Sequence, residues 1–286
     1  MKLPELFVVG GPTASGKTDQ AIALARQLNT EIISFDSRQF YREMHIGTAR
    51  PLPDSWQGIP HHFLGTQSIH SPLDAATFAD HARPVLQQIL DTHGSAVLVG
   101  GSGFYLQALL YGLDPMPNIP TSIRAEVNQL PLAELQNEVS RIDPIYFKEV
   151  DQQNPARLRR ALEIWRTVGR PWSEFRTSGH SKKEMLFKAK LNLEILEPER
   201  AALHLRIEAR TAKMMKQGLK EEALRLAPFA NMPVLQTVGY QEWYSNAEAS
   251  EEEIEQHINA HTRQYARRQI TWFKKFKTNH SPQAGT

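Results

Sequence analysis

Between Leu6 and Thr18 the chain reads Leu6-Phe7-Val8-Val9-Gly10-Gly11-Pro12-Thr13-Ala14-Ser15-Gly16-Lys17-Thr18. A short apolar run breaks into glycines, a lysine and a threonine at the G-x-x-x-x-G-K-[ST] spacing, and Asp19 to Ala25 continues with a helical pattern. Strand, loop and helix in that order form a phosphate-binding loop. The glycines let successive backbone N–H groups curl toward an anion, and the following helix adds the positive end of its dipole. Gly11, Thr13, Ala14, Ser15, Gly16, Lys17 and Thr18 are therefore the candidate phosphate contacts. Lys17 supplies a mobile point charge, and the Thr18 hydroxyl is the expected ligand of a magnesium ion. The loop does not say which phosphate compound it holds.

Such a loop needs a parallel α/β sheet around it, and the next segments supply one. Ala21, Ile22, Ala25 and Leu28 recur at helical spacing, which predicts a helix over 17 to 28. Glu31-Ile32-Ile33-Ser34-Phe35-Asp36 reads as a buried strand ending in a carboxylate. Ligands of parallel sheets sit at the carboxyl ends of the strands, so Asp36 is expected to face the phosphate loop as the best candidate acid or base. Ala96-Val97-Leu98-Val99-Gly100 is a third such strand, and it delivers Ser102, a hydroxyl between two glycines, to the same edge. His61 and His62 are adjacent with no third ligand at a useful spacing, which favours a structural or substrate-facing role over a metal site. Ser71-Pro72-Leu73-Asp74 predicts a helix start with Pro at the first position.

Pro115, Pro117 and Pro120 mark a linker into an inserted region that looks helical from 121 to 175. There Asn154-Pro155 caps a helix in which Leu158, Leu162 and Trp165 form one stripe, while Arg157, Arg159, Arg160, Arg166 and Arg170 face a single local acid, Glu163. That balance favours a polyanionic partner. After a polar stretch over 176 to 186, Phe187, Ala189, Leu191, Leu193 and Ile195 alternate as a half-buried strand returning to the core. A long helix from Pro198 carries Leu203, Ile207 and Met214 on one face and Arg206 and Arg210 on another. The last helix turns basic, with Arg263, Arg267, Arg268, Lys274, Lys275 and Lys277 uninterrupted by an acid. Its Tyr265, Trp272 and Phe276 share a face that reads as a core seam.

Composition narrows the classes. No apolar run approaches the roughly eighteen residues of a membrane span, and no signal-peptide pattern precedes the first strand, so a cytoplasmic location without membrane association is expected. The absence of cysteine excludes disulfides, thiolate metal sites and a cysteine nucleophile. From the residues alone, a kinase, a transferase and a nucleic-acid-dependent ATPase stay open.

Several separate stretches together resemble one family, the tRNA dimethylallyltransferases. They are the phosphate loop itself, Ile33 to Gln39 with Tyr41-Arg42, Ile46-Gly47-Thr48-Ala49, Ile59-Pro60-His61-His62, Val99 to Leu106, Arg160-Ala161-Leu162-Glu163, Val238-Gly239-Tyr240, and Thr262 to Phe273. They run through nearly the whole chain in the family's order. Ser102 stands where the family generally has Thr, and Arg50 where Lys is usual. Absence of cysteine and of a further C-terminal segment resembles the bacterial type, without the zinc finger of longer eukaryotic members.

The resemblance implies a phosphate-loop (P-loop NTPase-like) α/β fold: a parallel sheet flanked by helices, with a core at 1–114 and 185–286 and an inserted helical tRNA-binding domain at 115–184. It implies that the loop grips the diphosphate of dimethylallyl diphosphate with Mg2+, while Asp36 takes the proton from the exocyclic amine of the adenosine 3′-adjacent to the anticodon. Lys17, with Arg206 or Arg210, would assist the leaving group, Arg206 being slightly preferred. Ser37, Arg38 and Gln39 would contact the flipped base, Ser102 would lie near the reacting amine, and Arg124, Arg157, Arg159 and Arg160 would hold the anticodon arm. The enzyme is expected to act as a monomer. The retained alternative is an ATP-dependent kinase of a small nucleoside-like substrate.

Overall fold

A computed structural model describes residues 2–175, 184–245 and 248–280. Most of the polar stretch expected over 176 to 186 lies outside the described residues. The chain divides into two compact units, Met1–Gly112 with Met185–Thr286, and Leu113–Glu184.

The first unit is built on five strands: β1 (Glu5–Gly10), β2 (Ile32–Ser34), β3 (His61–His62), β4 (Ser95–Gly100) and β5 (Lys190–Ile195). They are hydrogen-bonded in the order β3-β2-β4-β1-β5, and every pairing is parallel. Parallel strands need long crossovers, which α1 (Lys17–Leu28), α2 (Ala75–His93) and α3 (Gly103–Tyr111) help to provide on the two sides of the sheet. Because both faces are covered, the strands are apolar on both sides. Leu6, Val8, Ile33 and Leu98 pack with Phe78, Leu86 and Leu109 on one face, and Val9, Ile32 and Val97 pack with Ile22 and Ala25 of α1 on the other. The alternation expected from 187 to 195 is present: Phe187, Ala189, Leu191, Leu193 and Ile195 all pack against the first of these cores. Five of the six β5 residues are partly buried alike, because β5 pairs on one side only and forms the edge of the sheet.

Helix starts follow local chemistry. Asp74, rather than the Ser71-Pro72 pair, caps α2, accepting a 2.8 Å bond from the Thr77 N–H. Asp91 to His93 form its last turn, and Gly94 ends it in the left-handed conformation.

The second unit contains α4 (Thr121–Asn128), α5 (Leu132–Ile142), α6 (Pro144–Glu149), α7 (Pro155–Val168) and α8 (Trp172–Phe175). Val127, Leu135, Val139, Leu158 and Leu162 form its own core. The expected cap is present: Asn154 accepts from the Arg157 N–H, with Pro155 at the first helical position.

The first unit is completed by α9 (Arg200–Lys216), α10 (Leu219–Leu226), α11 (Gln241–Ser245) and α12 (Glu251–His280). The long α12 lies against the carboxyl ends of β1 and β4, where the chain is glycine. A Cβ on Gly10 would stand 2.5 Å from the Phe273 ring, and Cβ atoms on Gly101 and Gly103 would collide with Gln269 and Trp272. Trp272 and Phe276 stack at 4.8 Å as part of the core, so the aromatic face is the expected seam there.

One buried carboxylate shapes the loop after Tyr41. Glu222 of α10 accepts the N–H groups of His45, Ile46 and Gly47 at 3.1, 3.0 and 3.0 Å and the Tyr240 hydroxyl at 2.7 Å. Glu222→Gln turns an amide NH2, itself a donor, toward some of these donors, and an unsatisfied buried polar group costs about 1–3 kcal/mol. The variant is expected to lose about that much stability in urea unfolding; an unchanged midpoint would show that the carboxylate does not hold the loop.

Candidate active site

The register sets Gly10 opposite Gly100 on β4 and Ile195 on β5, so β1 releases its loop between two neighbours at the carboxyl edge. Gly11 follows at φ +145°, where a Cβ would meet the Leu196 carbonyl oxygen at 2.8 Å. That close approach requires glycine. Ala14 at φ +61° and Gly16 at φ +89° complete the curl before α1 begins at Lys17.

A cavity of about 200 Å³ lies over this loop. Its wall includes Thr13 to Thr18, Asp36, Gln39, His61 and Arg210. A narrower one of about 40 Å³ shares Thr13, Asp36, Gln39 and Arg210 and continues to Arg38, Met214, Val238, Ile258 and Tyr265. Asp36 and Arg210 thus stand where an anion-lined space meets a partly apolar one.

The electrostatics are those of a site built for a negative guest. Lys17 is buried, with Nζ donating to the Pro12 carbonyl, and burial pushes its ammonium down to about 8; Asp36 opposes that shift and Arg210 adds to it. Burial likewise lowers Arg210 to about 10, again against the stabilising charge of Asp36. Two desolvated cations therefore share one carboxylate. Arg210 Nε and Ser15 Oγ are buried polar atoms that no protein group satisfies, as expected of groups reserved for a ligand.

Of the sequence-derived candidates, the structure brings Lys17, Thr18, Asp36, Arg38, Gln39 and Arg210 to these cavities. Arg206 is exposed on α9 and lines neither cavity, which corrects its preference over Arg210. Ser37 and Ser102 bond to each other, through Oγ to Oγ at 2.9 Å and the Ser37 N–H to Ser102 Oγ at 3.0 Å, and neither lines a cavity. The Gln39 amide nitrogen donates to the Thr48 and Ala49 carbonyls at 3.1 and 3.2 Å, leaving its oxygen as acceptor. Arg38 lies 3.7 Å over the Tyr265 ring.

The adjacent histidines divide. His62 Nε2 meets Glu31 at 2.6 Å, while His61 lines the cavity. The His61 Nδ1–H donates to the Ile59 carbonyl at 2.8 Å, and its buried Nε2 has no partner. Burial pushes this imidazole down, so it stays neutral. Gln269 is the site residue that sequence reasoning passed over: it accepts from the Thr13 N–H at 2.8 Å and donates to the Gly101 carbonyl at 2.9 Å. Only its place in the Thr262 to Phe273 block hinted at it.

The second unit carries its own arginine cluster. Arg124 and Arg160 approach Glu163 at 4.0 and 3.6 Å, and Arg157 is exposed. Arg159 is partly buried, its Nε without a partner. The count of five arginines against one acid is corrected: Arg166 is paired with Glu126 and Glu138 at 2.7 and 2.9 Å, and Arg170 with Glu174 at 2.9 Å. The acids come from α4, α5 and α8, outside the helix on which the balance was struck.

Fold and site together define a phosphate-loop α/β protein with two buried cations and a carboxylate around one cleft. A family model described as IPP transferase matches residues 39–276, and the chain belongs to that family. It is 41% identical to a tRNA dimethylallyltransferase of Christiangramia forsetii over 94% of this chain and 90% of that one. Among solved structures it is similar to a tRNA isopentenylpyrophosphate transferase from Bacillus halodurans, with a TM-score of 0.66 and 32% identity over 95% of this chain and 87% of that one. Its fold is shared with a eukaryotic dimethylallyltransferase captured acting on tRNA, with a TM-score of 0.80 at 23% identity over 96% of this chain and 71% of that one.

The depressed Lys17 value has a direct consequence for anion binding. Below about pH 8 the lysine is charged and attracts a diphosphate; as pH rises through that value the free protein loses this charge and the attraction with it. Calorimetric titration with inorganic pyrophosphate should show affinity falling above about pH 8 more steeply in the wild type than in Lys17→Gln. Parallel pH profiles would remove Lys17 from the anion site.

Proposed function

We infer that this chain transfers a dimethylallyl group from dimethylallyl diphosphate to the exocyclic amine of the adenosine 3′-adjacent to the anticodon of tRNA, releasing diphosphate. The observation that carries the reading is the meeting of Lys17, Arg210 and Asp36 in one cleft over the phosphate loop, in a chain of the IPP transferase family. Nothing among the relatives described supports a kinase.

The chemistry asks for this arrangement. The adenine amine is a poor nucleophile because its lone pair is delocalised into the ring, so it needs a base held within reach and a leaving group already neutralised. The nitrogen attacks the allylic carbon, the carbon–oxygen bond breaks with its electron pair passing to the diphosphate, and Asp36 takes the amine proton. Positive charge developing on the allylic carbon makes leaving-group stabilisation the dominant demand. The loop amides, Lys17 and Arg210 meet it with groups that are buried beforehand and need no reorganisation.

Thr18 on the cleft wall, with the oxygens of the diphosphate, forms the all-oxygen set that suits Mg2+. When bound there the ion would supply further neutralisation of the leaving diphosphate.

The base must leave its stack to reach Asp36. In this reading Arg38 and the acceptor oxygen of Gln39 receive it, the Ser37–Ser102 pair stiffens the turn beside Asp36, and Arg124, Arg157, Arg159 and Arg160 contact the phosphates of the anticodon arm. The enzyme acts as a monomer in the cytoplasm, with its RNA substrate. Among the described residues no helix is long and apolar enough to cross a membrane.

The decisive assay incubates the protein with labelled dimethylallyl diphosphate, magnesium and unmodified tRNA. Incorporation of label into tRNA is expected; its absence, or ATP turnover without RNA, would refute the reading. Asp36→Asn is expected to lower kcat by about 10²–10⁴-fold, the usual worth of a positioned base, while pyrophosphate binding persists. A second comparison separates the arginines. Arg210→Ala should cost about 10²-fold or more, as loss of a preorganised charge does, whereas Arg206→Ala stays within about threefold; equal losses would reverse the assignment.

A further inference from the structure

We propose that Gln269 is a positioning residue that sets the spacing between the phosphate loop and the turn after β4, and so between the leaving group and the acceptor base. The proposal rests on the transferase reading above and adds to it a residue that touches neither substrate.

The observation is a two-ended bridge. Gln269 is buried on α12 with 5% of its surface exposed. Its Oε1 accepts the Thr13 N–H at 2.8 Å across 256 residues of sequence, and its Nε2 donates to the Gly101 carbonyl at 2.9 Å across 168. Thr13 lines both cavities. Gly101 precedes Ser102, whose hydroxyl holds Ser37 next to Asp36. One side chain thus joins the donor half of the site to the acceptor half.

The loop geometry gives the bridge its role. In a phosphate loop the amides are wanted by the anion, yet the Thr13 N–H is taken by Gln269. That bond fixes the Pro12–Thr13 peptide, one residue ahead of Ala14, which is held at φ +61°, a conformation an alanine adopts only when its surroundings impose it. At the other end, a Cβ on Gly101 would collide with Gln269 Nε2 and lie 3.5 Å from Asp36 Oδ2. The absence of a side chain at Gly101 is what admits the bridge beside the carboxylate.

A neutral amide meets both ends, because one partner is a donor and the other an acceptor. A carboxylate at this position keeps the bond to Thr13 and sets a lone pair against the Gly101 carbonyl. A protonated carboxyl restores both. Charge state at position 269 therefore becomes a readout of the bridge itself.

The experiment compares wild type, Gln269→Glu and Gly101→Ala by prenyl transfer to tRNA, pyrophosphate binding and thermal melting. Transfer by the wild type is measured first, and its failure would refute the transferase reading rather than this one. With the wild type active, Gln269→Glu is expected to lose kcat by about 30-fold or more near pH 8, since misplacement by about 1 Å costs on the order of 10²-fold. KM for both substrates and pyrophosphate affinity should stay within about threefold. The ratio of variant to wild-type kcat should climb by at least about threefold on lowering the pH toward 6, as the buried carboxyl takes up its proton.

Gly101→Ala breaks the bridge from the other side and should show the same loss in kcat without the pH-dependent recovery. It carries the test if Gln269→Glu melts below the assay temperature. Overturning results are a kcat within threefold of wild type in either folded variant, a loss confined to KM or pyrophosphate binding, or a Gln269→Glu to wild-type ratio that does not change with pH.

Discussion

Two cations held out of water beside one carboxylate are the constraint around which this protein is arranged. Taking Lys17 and Arg210 from solvent is costly, and their lowered affinities for protons express that cost. Asp36 offsets only part of it. The remainder is offset when a polyanion enters, so binding energy and chemistry draw on the same imbalance. A cleft of this kind needs rigid walls, because a mobile lysine or arginine would turn to water. The parallel sheet supplies them: β1 and β4 end in register, and each releases its turn at the same edge.

The second constraint is steric. α12 crosses the strand ends through positions where the chain has no side chain, with Phe273 at Gly10, Gln269 at Gly101 and Trp272 at Gly103. Those glycines are there less for backbone freedom than for closeness, none of the three having positive φ. The aromatic residues anchor the helix in the core while the glutamine about one turn before them bonds to both loops. The loop before α1 is consequently shaped from both directions, by its own glycines and by a helix far along the chain. The Glu222 carboxylate does the same for the turn from His45 to Gly47, holding its three consecutive amides from a distant helix.

What the sequence disclosed and what it concealed follow from the range of the interactions. Elements set by neighbours in sequence were legible: the loop from Gly11 to Thr18, the helix over 17 to 28, the Asn154 cap, and Asp36 at a strand end. The family resemblance, carried by blocks from the phosphate loop to Phe273, anticipated the membership that the matched region demonstrates. Interactions between distant segments were not legible. The choice between Arg206 and Arg210 depends on the rotation of α9 against the sheet. The pairing of Arg166 with Glu126 and Glu138 depends on how three helices pack, so a charge count along one helix overstated its free positive charge. The β5 alternation was legible too, its odd-numbered residues packing on the core, but its place at the sheet edge was not. The Gln269 bridge joins residues that no local pattern connects.

That bridge also bears on the order in which the molecule is made. Thr13 emerges among the first residues of the chain, and the group that fixes its peptide comes 256 residues later. The helical unit, with a core of its own, is synthesised in the interval. A nascent chain therefore carries its phosphate motif for most of its synthesis without the helix that gives it working geometry. The contacts that join the two loops therefore form only after the last helix has been made, and the glycine seat at the strand ends is the last part of the sheet edge to be filled.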